Sequence, residues 1–318
     1  MKTRVETVWE ELVDTSEHCP VGADKFILRR IDPTAEFDIY AGIDAAANRM
    51  LAVGVYKRPP MIKLDSAALD YFRQQRVNGN WLMALRLKQP ALAEVFGQLC
   101  QDLIDATVNV TGEANLIALV QARLELWMKL FANGHTGLLE PYQIKGLVAE
   151  LLVFDSLLQE GNRSQLEVAH AWVGPLGADQ DFVFSDEAIE VKAISPASEV
   201  VSISSLQQLD CAVPLRLGVQ TLRPASPDDD KAVNLNVIAL RIEGHLARTP
   251  DALSLFRGRL LEAGYVECPY YDTVRFEVSA GEWFTVGEGF PRLVAASVPD
   301  GIVSASYAVS MTRIRGHD

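Results

Sequence analysis

The chain has 318 residues, 49% of them hydrophobic, with 29 Lys and Arg against 42 Asp and Glu, a formal charge of −13. That length can bury a full core in one or two compact domains, and the acidic balance argues against a generic nucleic-acid coat. No apolar run approaches the roughly 20 residues that span a bilayer, and Met1-Lys2-Thr3-Arg4-Val5-Glu6 lacks a signal-peptide core, so a cytoplasmic chain is expected.

In chain order, a helix is expected around Trp9. Residues 25–30, 38–42 and 51–56 read as strands. Asn78-Gly79, between the segments 71–77 and 81–87, reads as a hairpin turn. Residues 1–90 therefore form a strand-rich N-terminal domain. Residues 91–135 read as a connector of two helices with Phe96, Leu99, Leu103, Leu124, Trp127 and Leu130 facing a core; Trp127 fits helix packing better than base stacking. Cys19, Cys100, Cys211 and Cys268 have no paired spacing, so neither zinc nor a disulfide frame is expected. No glycine loop suits phosphate cradling, so no ATPase activity is expected.

The third part, 136–318, opens on a helix that Pro141 starts and Gly161 stops. Ile144, Leu147, Val148, Leu151, Leu152 and Leu158 make its apolar stripe. Glu150 lies at the margin of that stripe, where it either leans over a sheet edge or is an ordinary solvated glutamate. Asp155 falls inside the stripe without an evident role. Next comes a hairpin: strand Phe182-Val183-Phe184, turn Ser185-Asp186-Glu187, and a second strand over 188–194. Alternation puts Ile189, Val191 and Ala193 on one face and Glu190 and Lys192 on the other. Asp181, at the mouth of the first strand, then lies across the ladder from Glu190 and Lys192. Two carboxylates and one ammonium at a sheet edge suit a divalent metal and an activated water. A second acid-x-Lys triplet, Asp229-Asp230-Lys231, adjoins the turn formers of 224–228 and reads as a solvated loop.

A strand is expected over 200–203, then a helix capped by Ser204 and holding Leu206, Gln207, Gln208 and Leu209. Residues 233–236 alternate and 237–240 run on as a buried strand. A helix over 250–263 and strands over 273–278, 283–286 and 306–311 complete the chain, extending or flanking the core sheet.

Helix Glu150, Asp181, Glu190-x-Lys192 and a glutamine beyond resemble the PD-(D/E)xK nuclease superfamily. Gly146-Leu147-x-x-Glu150-Leu151, Trp172-Val173-Gly174-Pro175, Asp181-Phe182, Glu190-Val191-Lys192 and Ile203-Ser204-Ser205-x-Gln207-Gln208-Leu209 are similar to a prokaryotic family known only as PD-(D/E)xK motif proteins. Ala41-Gly42-Ile43-Asp44 and Phe290-Pro291-Arg292 extend the similarity more weakly. Gln180 departs from the motif's usual proline. The resemblance implies an α/β, restriction-endonuclease-like core, a mixed sheet flanked by helices. It also implies a metal-dependent DNA endonuclease of a restriction or phage-defence system, with an ATPase or methyltransferase subunit as partner. Mg²⁺ or Mn²⁺ suits the hard oxygen ligands. Asp181 is then the central metal ligand and Glu190 the second, with the Val191 carbonyl completing the set. Lys192 orients the attacking water, Glu150 adds a third acid, and Gln208 steadies the site, or Gln207 if the register slips by one.

Residues 141–220 hold 4 basic and 11 acidic side chains, whereas residues 1–100 are neutral with 13 of each. Broad DNA contact is thus expected from Arg29-Arg30, Lys57-Arg58, Arg73, Arg76, Arg86 and Lys88. A homodimer would supply two sites for double-strand cleavage. A non-catalytic or partner-activated DNA-binding scaffold is the competing reading, and RNA remains open as a substrate.

Overall fold

The computed structural model describes residues 4–18, 26–64, 68–108, 110–132, 138–226, 228–229, 231–279 and 281–316. Lys25, Cys19, His135, Thr136 and Asp230, and the side chain of Leu130, lie outside them. The chain divides into two compact units, Met1–Gly137 and Leu138–Asp318; the segment read as a connector belongs to the first. Among the described residues no helix is long and apolar enough to cross a membrane.

In the first unit, helix α1 (Arg4–His18) precedes strands β1 (Phe26–Arg30), β2 (Ile39–Asp44), β3 (Arg49–Val55), β4 (Leu69–Gln75) and β5 (Trp81–Leu87). They form an antiparallel sheet in the order β1-β2-β3-β5-β4. Gly79 takes the left-handed conformation (φ 85°) that closes the β4–β5 turn, a role for which a Cβ is costly. Helices α2 (Ala93–Ala106) and α3 (Glu113–Ala132) follow. Trp9 is fully buried; its ring stacks on Phe96 at 5.4 Å and its indole N–H donates to Met50 O at 2.9 Å.

The second unit begins with α4 (Pro141–Glu160), whose Pro141 start and left-handed Gly161 stop (φ 68°) match the reading of the sequence. Helix α5 (Gln165–Ala171), capped by Ser164, was not expected. Strands β6 (Phe182–Val183) and β7 (Ala188–Ile194) form the expected hairpin. Strand β8 (Val200–Ile203) is followed by a single 3₁₀ turn, Gln207–Leu209, not by the expected helix. Gln208 explains this. Its Oε1 accepts the Ser204 N–H at 2.8 Å and its own N–H donates to Ser205 Oγ at 3.3 Å, local bonds that compete with a helical ladder.

Strand β9 (Leu215–Ala225), unanticipated from the sequence, is the spine of the sheet. It pairs parallel with β7 and antiparallel with β10 (Arg275–Val278) and β11 (Glu282–Val286), so Pro224 and Ala225 lie in a strand rather than a turn. Helices α6 (Leu235–Leu246), α7 (Pro250–Glu262) and α8 (Tyr270–Thr273) cover one face with α4 and α5. On the other face β8 pairs with β12 (Tyr307–Ser310), backed by α9 (Met311–Arg315). The result is the α/β, nuclease-like architecture expected: a mixed sheet between helices and a small second sheet.

Residues 233–240 correct the reading most sharply, since α6 occupies most of what read as strand. The stripe that matters is Leu235, Ile238, Ala239, Ile242 and Leu246, all buried, while Val237 and Leu240 are exposed. That spacing is helical. Asn234, fully buried, is the N-cap: its side chain accepts the Val237 N–H at 2.9 Å, while its Nδ2 has no partner. Asn234→Ala is therefore expected to cost about 1–2 kcal/mol in urea unfolding, and Asn234→Ser clearly less, because Ser retains the cap without the orphaned donor. Equal losses in both variants would refute the cap's role.

Asp155 is now accounted for. It is buried on α4 and pairs with Arg241 Nε at 3.0 Å and His245 Nδ1 at 3.3 Å, both on α6. It clips α4 to α6.

Candidate active site

Phe154, Trp172, Phe182 and Phe256 form the aromatic heart of the α4 layer, with ring centroids of Phe154 at 5.6, 6.2 and 5.0 Å from the other three. This packing aims the Trp172 indole N–H at Glu150 Oε2, 2.8 Å away. The chain then folds tightly around Asp181: the Val173 and Gly174 N–H groups both donate to its carbonyl, at 2.8 and 2.9 Å. Its carboxylate accepts the Val191 N–H at 2.7 Å. Gly174 is where the acids converge. A Cβ there would stand 2.7 Å from Asp181 Oδ1 and 3.2 Å from Glu150 Oε2, so any larger residue would force them apart.

On β7, Lys192 Nζ meets Glu190 Oε1 at 2.6 Å and donates to Gln208 Oε1 at 3.0 Å. The structure therefore brings Glu150, Asp181, Glu190, Val191, Lys192 and Gln208 to one corner of the sheet. Gln208, not Gln207, supplies the side chain; Gln207 offers its carbonyl to Gln180 Nε2 at 2.7 Å. One expectation changes. Glu190 is not at an open strand face but buried, 1% exposed, and its Oε2 has no hydrogen-bond partner. Three contributors went unassigned in the sequence: Trp172, Gly174 and Gln180. The first two were visible only as part of a resemblance, because the distances that make them matter span separate elements.

The electrostatics are those of crowded acids. Burial, then the Asp181 charge, pushes the Glu150 carboxyl up to about 8 against the pull of the Trp172 N–H and Lys192. Burial raises Asp181 to about 6, opposed by the Val191 N–H and Lys192. Burial and Asp181 together hold Glu190 well above the usual carboxylate range. Such shifts mark functional corners more often than structural ones. The donors are hard oxygens, the acids repel each other, and one buried oxygen is unpartnered, so the residues fit a divalent cation. Among the described residues, however, no three Asp, Glu, His or Cys side chains are placed so that they could hold a metal ion together; Glu190 is engaged by Lys192 instead.

Of the basic residues expected to touch DNA, several are committed within their own unit. Arg29 pairs with Glu11, Arg30 with Asp38 at 2.9 Å, and Arg86 with Asp44 and Asp70 at 3.4 and 2.6 Å.

A mixed sheet, a helix-borne glutamate and an Asp…Glu-x-Lys corner define a PD-(D/E)xK type of protein. The model of the DUF4420 family, described as "Putative PD-(D/E)XK family member", matches residues 5–312, and the chain belongs to that family. No curated protein and no solved structure is matched by the chain.

Proposed function

We propose that the Leu138–Asp318 unit is the catalytic unit of a metal-dependent endonuclease that hydrolyses DNA phosphodiester bonds. The observation that carries this reading is the meeting of Asp181, Glu150 and the Glu190–Lys192 pair at one corner, with Glu190 Oε2 left unpartnered. Asp181 and Glu190, with the Val191 carbonyl, would hold Mg²⁺ or Mn²⁺, and Glu150 would stand behind them. When bound, such a cation lowers the pKa of its water and offsets charge developing on the phosphate. Lys192 orients the attacking water and stabilises the negative charge of the transition state. Gln208 keeps the Lys192 ammonium at the corner, and the Trp172 N–H keeps Glu150 turned toward Asp181.

The internal Glu190–Lys192 contact favours a subunit that works fully only with a partner, such as an ATPase or methyltransferase of a phage-defence system. Calorimetric titration with Mn²⁺ tests the site. Wild type should bind and Asp181→Ala should not. Equal binding by both, or none by wild type, would leave only a DNA-binding scaffold.

A further inference from the structure

Within the acidic second unit, Arg292 is a cation with no carboxylate at ion-pair distance among the described residues. Its Nη1 donates to the carbonyl of Leu209, in the same 3₁₀ turn that presents Gln208 to Lys192. Only one of its five N–H donors is used there, and the residue as a whole is partly buried. Next to it lies Tyr307, whose hydroxyl accepts the Leu293 N–H at 3.2 Å. Tyr307 pairs with Ile203 across β12–β8, one residue before the Ser204 amide that Gln208 accepts. The charges of Arg292 and Lys192 both act on the Tyr307 hydroxyl, although burial raises its pKa overall. The Gln207–Leu209 turn thus links Arg292 to Lys192, and both charges reach the Tyr307 hydroxyl.

We propose that Arg292, with Tyr307 beside it, forms a phosphate-binding subsite that receives a DNA backbone phosphate next to the bond attacked at the Asp181–Lys192 corner. The inference rests on the nuclease reading above and adds the residue that engages substrate. A guanidinium suits this role: it is always charged, and its planar fork matches phosphate oxygens. In a unit where acids outnumber bases, an arginine without a carboxylate partner among the described residues, held by the turn that also contacts Lys192, offsets repulsion of the backbone.

The test is fluorescence anisotropy of a labelled DNA duplex with Ca²⁺, which permits binding to be read separately from cleavage. Arg292→Gln keeps a donor for the Leu209 carbonyl and removes the charge. It should weaken binding about 10- to 100-fold. It should also flatten the slope of log K against log salt by about one phosphate contact. Arg292→Lys should keep the slope. Mn²⁺ binding and the thermal midpoint of Arg292→Gln should match wild type. If Arg292→Gln binds DNA as wild type does, or loses DNA and Mn²⁺ together, Arg292 only braces the turn and the subsite is refuted while the nuclease reading stands. Failure of the wild type itself to bind DNA would remove both.

Discussion

On the proposed nuclease reading, Asp181→Ala is expected to lower divalent-metal-dependent cleavage by at least about 10³-fold, and Lys192→Met by about 10²- to 10³-fold. The two variants should fail differently. Asp181 is gripped through its carbonyl by Val173 and Gly174 and through its carboxylate by Val191, so its removal deletes a fixed donor and Mn²⁺ affinity with it. Lys192 holds no cation. Its loss leaves Glu190 buried without its ammonium, a charge the metal-free protein relieves by taking up a proton, which a bound cation then displaces. Mn²⁺ affinity should survive in Lys192→Met while cleavage does not. Rates are measured on duplex DNA with Mg²⁺ or Mn²⁺; wild-type cleavage by either variant would remove the catalytic assignment.

The metal-free protein is expected to lose stability as pH rises from about 4 to 8. In the unfolded chain these carboxyls ionise near 4. In the folded chain Asp181 keeps its proton to about 6 and Glu150 to about 8. Between those values these carboxyls bind more protons in the folded state than in the unfolded state, so their contribution to the slope of unfolding free energy with pH is negative. Asp181→Asn preserves an acceptor for the Val191 N–H without the charge. It should raise metal-free stability at pH 8 by on the order of 1–3 kcal/mol and change little at pH 4. Saturating Mn²⁺ should restore wild-type stability at pH 8 by binding only the folded form. Denaturant unfolding across this range decides the matter: a flat or rising metal-free profile would show that the acids are not held together as described.

The parts of the fold legible in the sequence were those with local signals. Pro141 and Gly161 bracket α4, alternation marks β7, and Asn78-Gly79 turns the β4–β5 hairpin. The corner's residue types were visible in the sequence, but an acid-x-Lys triplet also fits a solvated strand face, and it was the flanking resemblance that singled this one out. What stayed hidden depended on distant partners. Strand β9 carries Gly218 in its middle, a poor strand former until Trp283 is seen packed against it, where an added Cβ would come within 3.0 Å. In 233–240, alternating and helical spacings coexist, and only the buried cap at Asn234 decides between them. Alternation puts Glu190 and Lys192 on one face of β7 without telling what covers it. The Gln208 turn and the β8–β12 sheet close over that face, and no short stretch of sequence predicts that closure.

The pairing of β8 with β12 has a temporal consequence. Its partners, from Val200↔Ser310 to Ile203↔Tyr307, lie more than a hundred positions apart, and such distant pairing pays its loop-closure entropy before any contact repays it. During synthesis, the acids of α4 and β7 emerge from the ribosome long before residues 307–310. The nascent chain therefore carries its carboxylates well before the strand that completes their surroundings, and the finished corner is a late product of translation.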